Sequence, residues 1–120
     1  MARYVDGFVI PVPKKNVALY RKIARKPGKI WMEHGALQYV ECVGDDLDQG
    51  KLLTPFPRAA RTKPGETVIF SFIVYRSRAH RDRVDARVMK APRLAKLGAL
   101  GTPFESKRMV YGGFRTLVDL

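Results

Sequence analysis

The sequence predicts an α+β domain in which strands and helices follow one another in the order βαββαβ. Short runs rich in β-branched and aromatic residues occur in four places, and amphipathic stretches with helical spacing separate the first run from the second and the third from the fourth. The 120 residues are enough for one hydrophobic core and too few for two. This order places both helices on one face of a four-stranded antiparallel sheet, the arrangement called ferredoxin-like. We therefore predict a single domain over residues 1–120.

The first half of the chain supplies two strands and one helix. Residues 4–12 predict a strand that prolines close. Asn16 is expected to cap a helix that ends at Gly35, and Pro27 with Gly28 predicts a break or kink within it. Alternation of apolar and polar residues over 36–44 predicts the second strand.

The second half begins with a long loop. Residues 45–66 are rich in Asp, Pro, Gly and Lys, with a short helical turn expected near 58–61. Residues 67–75 form the clearest predicted strand, after which Ser77 is expected to cap a second helix ending near Ala91 and Pro92. A glycine-rich connector over 97–102 then leads to a last strand over 108–114.

Both faces of the third predicted strand are apolar. One face carries Val68, Phe70, Phe72 and Val74, and the other carries Ile69, Ile73 and Tyr75. The chain's own helices cover only one sheet face, and a face left to solvent alternates with polar residues. The simplest cover for the second face is the same face of another copy, so the sequence predicts a homodimer.

The net charge of +12 is concentrated in two segments. Residues 14–29 hold seven bases and no acid, and residues 76–96 hold eight bases and two acids. These segments coincide with the predicted helices, so phosphate attraction through the helix face is an alternative function, expected as non-specific nucleic-acid binding at low salt. RNA-recognition modules share the βαββαβ order, but they carry charge and aromatics on one surface, which this pattern does not.

The composition also indicates the cellular compartment of the protein. No apolar run approaches the ~18–20 residues that span a bilayer, and the N-terminal residues lack the apolar core of a signal peptide. The lone Cys42 has no partner for an internal disulfide and, in the middle of a predicted strand, is expected to be buried. We expect a cytoplasmic protein without membrane association.

Two carboxylates in the middle of strands mark a candidate site. Asp6 and Glu41 lie among apolar residues, where a buried charge needs a partner. Arg108, Tyr111 or Tyr39 could supply one. Asp6, Glu41, Arg108 and Tyr111 define a candidate pocket for a small polar ligand. The alternative is a structural network that fixes sheet register or dimer geometry.

Other features give no catalytic or metal site. Asp45, Asp46 and Asp48 follow a strand, as turn residues do, and no spacing of His or Cys predicts a metal centre or cofactor. Gly112 and Gly113 lie within a strand, which indicates a bulge or a close approach rather than a phosphate loop. With no catalytic motif, the sequence leans toward a binding protein rather than an enzyme.

Five segments resemble the YbaA-like family of uncharacterised bacterial proteins. They are residues 4–9 (YVDGFV), 33–37 (EHGAL), 41–46 (ECVGDD), 66–71 (ETVIFS) and 107–114 (KRMVYGGF). The family is similar in fold to the dimeric α/β-barrel superfamily, in which two ferredoxin-like sheets pack into a barrel. That superfamily includes cofactor-free monooxygenases, haem-dependent enzymes and regulatory ligand-binding domains, so the resemblance implies the dimeric barrel and no particular reaction.

Overall fold

Four strands form one antiparallel sheet in the computed structural model, which describes residues 2–48, 51–98 and 102–120. In chain order they are β1 (Tyr4–Pro13), β2 (Gln38–Val43), β3 (Glu66–Tyr75) and β4 (Val110–Arg115). They lie in the order β2-β3-β1-β4, with the two longest strands in the centre and every neighbouring pair antiparallel. This is the ferredoxin-like topology that the βαββαβ pattern predicted.

The described residues also form four α-helices. They are α1 (Val17–Glu33), α2 (Phe56–Ala59), α3 (Arg78–Met89) and α4 (Pro92–Gly98). The short turn expected near 58–61 is α2. Helix α4 was not predicted; only its last two residues fall within the expected glycine-rich connector over 97–102, and residues 99–101 of that connector lie outside the described residues. None of the described helices is long and apolar enough to cross a lipid bilayer.

The pairing of β1 with β3 sorts the sheet into two faces. Asp6 pairs with Ile73, Phe8 with Ser71, and Ile10 with Ile69. Because side chains alternate along a strand, these residues share the face that α1 and α3 cover, here called the inner face. Its core contains the residues Ile10, Val12, Ile69, Ile73, Tyr75, Ile30, Val84 and Val88.

Helix α1 is continuous through Pro27, so the predicted break is wrong. Tyr20 and Ala24 before the proline and Ile30 after it are all buried, and one uninterrupted helix is needed to bury both halves. Packing therefore outweighs the hydrogen bond that the proline removes.

The two predicted helix caps have different outcomes. Asn16 makes no capping hydrogen bond, because its backbone is already helical (φ −98°, ψ 0°) and not extended as in a capping residue. Its side-chain amide instead donates to the carbonyl oxygen of Pro103 at 3.0 Å. Ser77 does cap α3, with its Oγ accepting from the backbone N–H of His80 at 3.1 Å.

The outer face of the sheet remains apolar and largely uncovered in the single chain. Phe70, Val110 and Phe114 are 44%, 54% and 61% exposed. The loop before β3 covers one end of this face, where Phe56 of α2 packs edge-on against Phe70 with ring centroids 5.9 Å apart. Cys42 lies on this face and is exposed, which corrects the expectation that it is buried.

The two glycines of β4 make room for aromatic rings. A methyl group at Gly112 would meet the Phe114 ring at 3.4 Å on the outer face, and one at Gly113 would meet the Tyr4 ring at 2.8 Å on the inner face. The register through both glycines is continuous, so they mark close approaches of side chains and not a bulge.

Gly28 is expected to resist the substitution that usually stabilises a helix. Alanine in a helix interior is favoured over glycine by about 1 kcal/mol, but a methyl group here would lie 2.8 Å from the Tyr39 ring. That ring is fixed by its hydroxyl's hydrogen bond to Glu41, so overpacking of about 1–3 kcal/mol exceeds the gain. We expect Gly28→Ala to lower the free energy of unfolding by about 1 kcal/mol in urea denaturation.

Gly98→Ala is the matched control, since nothing lies within 4 Å of the added methyl group. It is expected to leave stability unchanged or slightly raised. Stabilisation by Gly28→Ala would show that the Tyr39 ring moves freely.

Candidate functional site

A cavity of about 570 Å³ lies between the inner face of the sheet and the helices. Its walls are mainly aromatic and aliphatic side chains from α1, α3, α4, the strands and the segment before β4. The aromatic residues of the wall are Phe8, Tyr20, Trp31, Tyr39, Phe72, Phe104 and Tyr111. This surface is interrupted by three acids, Asp6, Glu41 and Asp85, and by the hydroxyl-bearing residues Ser71 and Thr102.

Asp6 forms a buried ion pair with Arg81 of α3. Nη1 of Arg81 donates to Oδ1 of Asp6 at 2.7 Å, and the Tyr111 hydroxyl donates to the same oxygen at 3.2 Å. Nη1 also donates to the Tyr111 hydroxyl oxygen at 2.9 Å, and the guanidinium carbon lies 4.8 Å from the centre of the Tyr4 ring. Asp6 is only 2% exposed, so this cluster connects α3 to the centre of the sheet.

Burial dominates the protonation behaviour of this cluster. Desolvation raises the pKa of Asp6 above its ordinary value, although the charge of Arg81 and the hydrogen bond from Tyr111 both lower it. Burial, together with the negative charge of Asp6, raises the pKa of Tyr111. Tyr111 therefore stays protonated and keeps its hydrogen bond to Asp6.

Glu41 is held by two tyrosine hydroxyls. Tyr20 donates to Oε1 at 2.7 Å and Tyr39 donates to Oε2 at 2.9 Å. Burial and then the Glu41 charge raise the pKa of both tyrosines, so both remain hydrogen-bond donors. The carboxylate is fixed in position by neutral groups, with no Lys or Arg in the described lining of the cavity.

Asp85 of α3 is the third carboxylate of the cavity. Its Oδ1 accepts from Nε1 of Trp31 and from the hydroxyl of Tyr75, both at 3.2 Å. These contacts join α1, α3 and β3 around one oxygen. Like Glu41, Asp85 is held by neutral donors.

Three of the four predicted site residues lie at the cavity. Asp6, Glu41 and Tyr111 line it, whereas Arg108 does not. Arg108 instead forms a bidentate pair with Glu66, at 2.7 and 2.8 Å, and these hydrogen bonds lower the pKa of Glu66 to about 2. The β1–β4 register explains the difference, because Gly113 lies opposite Asp6 and Arg108 is five residues away along the chain.

Sequence reasoning missed Arg81 and Asp85. The sequence pattern assigns both to a basic segment that faces solvent. In the structure they lie on the buried side of α3, with Arg81 three residues before Val84 and Asp85 three residues before Val88. Charged residues at core-facing helical positions were the signal that could have identified them.

The basic side chains of the helices lie elsewhere. Arg83 and Arg87 of α3 are exposed and do not line the cavity. The exposed Arg21, Arg25 and Lys29 of α1 line a second cavity of about 710 Å³, which Glu41 also borders. No group of three or more His, Cys, Asp or Glu side chains within the described ranges is arranged to hold a metal ion.

Removal of the Arg81 charge is expected to destabilise the protein in a pH-dependent way. Arg81→Met leaves the Asp6 carboxylate buried without a cation, which costs about 3 kcal/mol at pH 7. The pKa of Asp6, already raised by burial, rises further in this variant. When the pKa of a carboxyl is higher in the folded than in the unfolded protein, the free energy of unfolding decreases as pH rises from the unfolded to the folded value. The stability deficit of Arg81→Met relative to wild type therefore shrinks as pH falls toward about 4.

Urea denaturation at several pH values measures this effect. The control is the double variant Asp6→Asn/Arg81→Met, which has no buried carboxylate and is expected to be more stable than Arg81→Met at pH 7. A deficit that is equal at both ends of the pH range would contradict the buried ion pair.

Comparisons with known proteins agree with the fold and define the family. Residues 3–106 match the family described as "Protein of unknown function (DUF1428)". The Escherichia coli K12 protein named "Uncharacterized protein YbaA" is 41% identical over 117 residues, which cover 98% of each chain.

Solved structures with low sequence identity share the fold. A conserved protein from Bacteroides thetaiotaomicron has a TM-score of 0.60 at 10% identity, covering 96% of this chain and 98% of its own. A protein described as dimeric and ferredoxin-like, from an uncultured marine organism, has a TM-score of 0.57 at 10% identity over the full length of both chains. The chain therefore belongs to the DUF1428 family, as its resemblance to YbaA predicted, and has the ferredoxin-like fold.

Proposed function

We propose that this protein is a homodimer that binds a small molecule in the cavity between the inner sheet face and the helices. The observation that carries the proposal is the cavity itself. Its volume of about 570 Å³ falls within the range of small-molecule sites, and a few polar groups converge within otherwise apolar walls.

The polar groups support binding over a purely structural role. The hydrogen bonds of the described residues engage one oxygen of Asp6 and one oxygen of Asp85, and in each case this is Oδ1. No buried side-chain oxygen in the described ranges lacks a partner, so each Oδ2 is accessible rather than enclosed by protein. Since both residues line the cavity, these oxygens are acceptors for a ligand.

The outer face supports a homodimer. Phe70, Val110 and Phe114 expose apolar surface on a face that the helices do not cover. Contiguous exposed apolar surface of this kind marks a site of protein association. The marine protein with the same fold is described as dimeric, which agrees with pairing through the sheet into a dimeric α/β barrel.

Two further properties belong to the proposal. The exposed bases of α1 and α3 favour weak, salt-sensitive attraction to phosphates, including nucleic acids at low salt, as a secondary property of the helix surface. The lone Cys42, which is exposed, is compatible with a reducing cytoplasm.

A cavity-filling substitution tests the ligand site. Ile23 lines the cavity from α1, and Ile23→Trp would fill part of it. We expect wild-type protein to bind N-phenylnaphthylamine, a neutral aromatic dye, with enhanced fluorescence, and Ile23→Trp to weaken that binding at least about tenfold.

Leu19→Trp is the matched control, because Leu19 is half exposed on the same helix and outside the cavity lining. It is expected to bind the dye as wild type does. Equal dye affinity of Ile23→Trp and Leu19→Trp would exclude the cavity as the binding site.

A charge on the outer face tests the homodimer. Light scattering of the wild type is expected to give about twice the chain mass of 13.6 kDa. Phe114→Glu places a carboxylate on the proposed interface and is expected to give folded monomer. Leu19→Glu, on the helix side of the sheet, is expected to remain dimeric, and a dimer of Phe114→Glu would contradict this interface.

A further inference from the structure

We propose that the ligand of the cavity is an organic cation, in which a primary or secondary ammonium group on an apolar body is bound beside Glu41. This inference rests on the proposed function, and it adds the chemical class of the ligand. It follows from the charge of the cavity, from an unused hydroxyl and from the aromatic walls.

The charge of the cavity is opposite to that of the chain. The described lining contains three carboxylates and no Lys, Arg or His, in a protein with 23 bases and 11 acids. Arg81 compensates Asp6, whereas Glu41 and Asp85 accept only from neutral donors. The residues outside the description carry no basic side chain. A carboxylate in an apolar site is costly without a countercharge, and a cationic ligand supplies one.

Ser71 provides an independent indication of a ligand. It is 6% exposed, lines the cavity and makes no hydrogen bond through its hydroxyl to another described residue. No fully buried side-chain oxygen in the described ranges lacks a partner, so this hydroxyl is open to the cavity, where a ligand can hydrogen-bond to it. Ser71 is paired directly with Glu41 across the β2–β3 ladder, so the two side chains lie side by side on the inner face.

An ammonium group matches this pair of acceptors. It carries two or three N–H donors, one for the Glu41 carboxylate and one for the Ser71 hydroxyl. Tyr20 and Tyr39 hold both carboxylate oxygens in place, and each of these oxygens retains a second acceptor position. The site is therefore arranged before the ligand arrives.

The aromatic walls suit the remainder of an organic cation. The Trp31 and Tyr39 rings lie 6.3 Å apart, and the Tyr20 and Phe104 rings lie 5.7 Å apart. The faces of such rings attract cations and their edges bury apolar groups. A metal ion is disfavoured as the countercharge, since the described side chains include no group of three or more suitable ligands.

The positive charge of the whole chain does not oppose this assignment at physiological salt. Apart from Arg81, the basic side chains of α1 and α3 are exposed. Arg21, Arg25 and Lys29 line a second cavity of about 710 Å³, which Glu41 also borders, and do not line the first. Their field is screened over about 8 Å at physiological ionic strength, whereas Glu41 acts at contact distance within the cavity.

Three ligands of similar shape and different charge test the inference. Phenylpropylamine, phenylpropanol and phenylpropionate are titrated into the full chain by calorimetry at pH 7 and physiological salt. The amine is expected to bind at least about tenfold more tightly than the alcohol, and the carboxylate to show no measurable binding.

Variants assign the preference to Glu41. Glu41→Gln is expected to weaken binding of the amine about tenfold while binding of the alcohol changes less than about twofold. Ser71→Ala, which removes only the second acceptor, is expected to weaken binding of the amine about threefold. Glu105→Gln is the matched control on an exposed glutamate outside the cavity lining and is expected to have no effect.

The outcomes separate this inference from the proposed function. The cation assignment is wrong if the alcohol or the carboxylate binds as tightly as the amine. It is also wrong if Ile23→Trp abolishes dye binding but none of the three ligands displaces the dye from the wild type. In both cases the cavity remains a ligand site. If none of the three binds and Ile23→Trp also leaves dye binding unchanged, both proposals are wrong.

Discussion

The pairing of β1 with β3 determines the chemistry of both faces of the sheet. Asp6 lies opposite Ile73 and Phe8 lies opposite Ser71, which turns these residues toward the helices. A slip of one residue would turn Asp6 onto the apolar outer face and turn Val5 into the cavity. One register thus gives an inner surface that is covered by helices and carries a few polar groups, and an apolar, open outer surface on the same sheet.

The buried ion pair then positions the second helix. Arg81 contacts Asp6 at the centre of the sheet, and Asp85 lies four residues later on the same face of α3. Asp85 accepts hydrogen bonds from Trp31 of α1 and from Tyr75 of β3. Polar contacts of defined length therefore hold both helices over the sheet. This explains how the cavity persists, because apolar packing alone would tend to fill the space between helices and sheet.

The sequence contained enough information for the strands, the topology and the unusual position of Asp6, because these depend on local alternation and on the cost of burying a charge. It did not identify the partner of Asp6. Choosing Arg81 over Arg108 requires the β1–β4 register and the rotation of α3, and both are set by contacts between distant residues. The continuity of α1 through Pro27 has the same origin, since burial on the sheet outweighs a local propensity.

The two proposed surfaces lie on opposite sides of one strand. Along β3, Ser71 faces the cavity, while its neighbour Phe70 is exposed on the outer face. A ligand changes the dimer equilibrium only by the difference in its affinity for monomer and dimer. A sheet held by continuous registers on both sides of β3 offers little movement that could produce such a difference, so ligand binding and dimerisation are expected to be energetically independent.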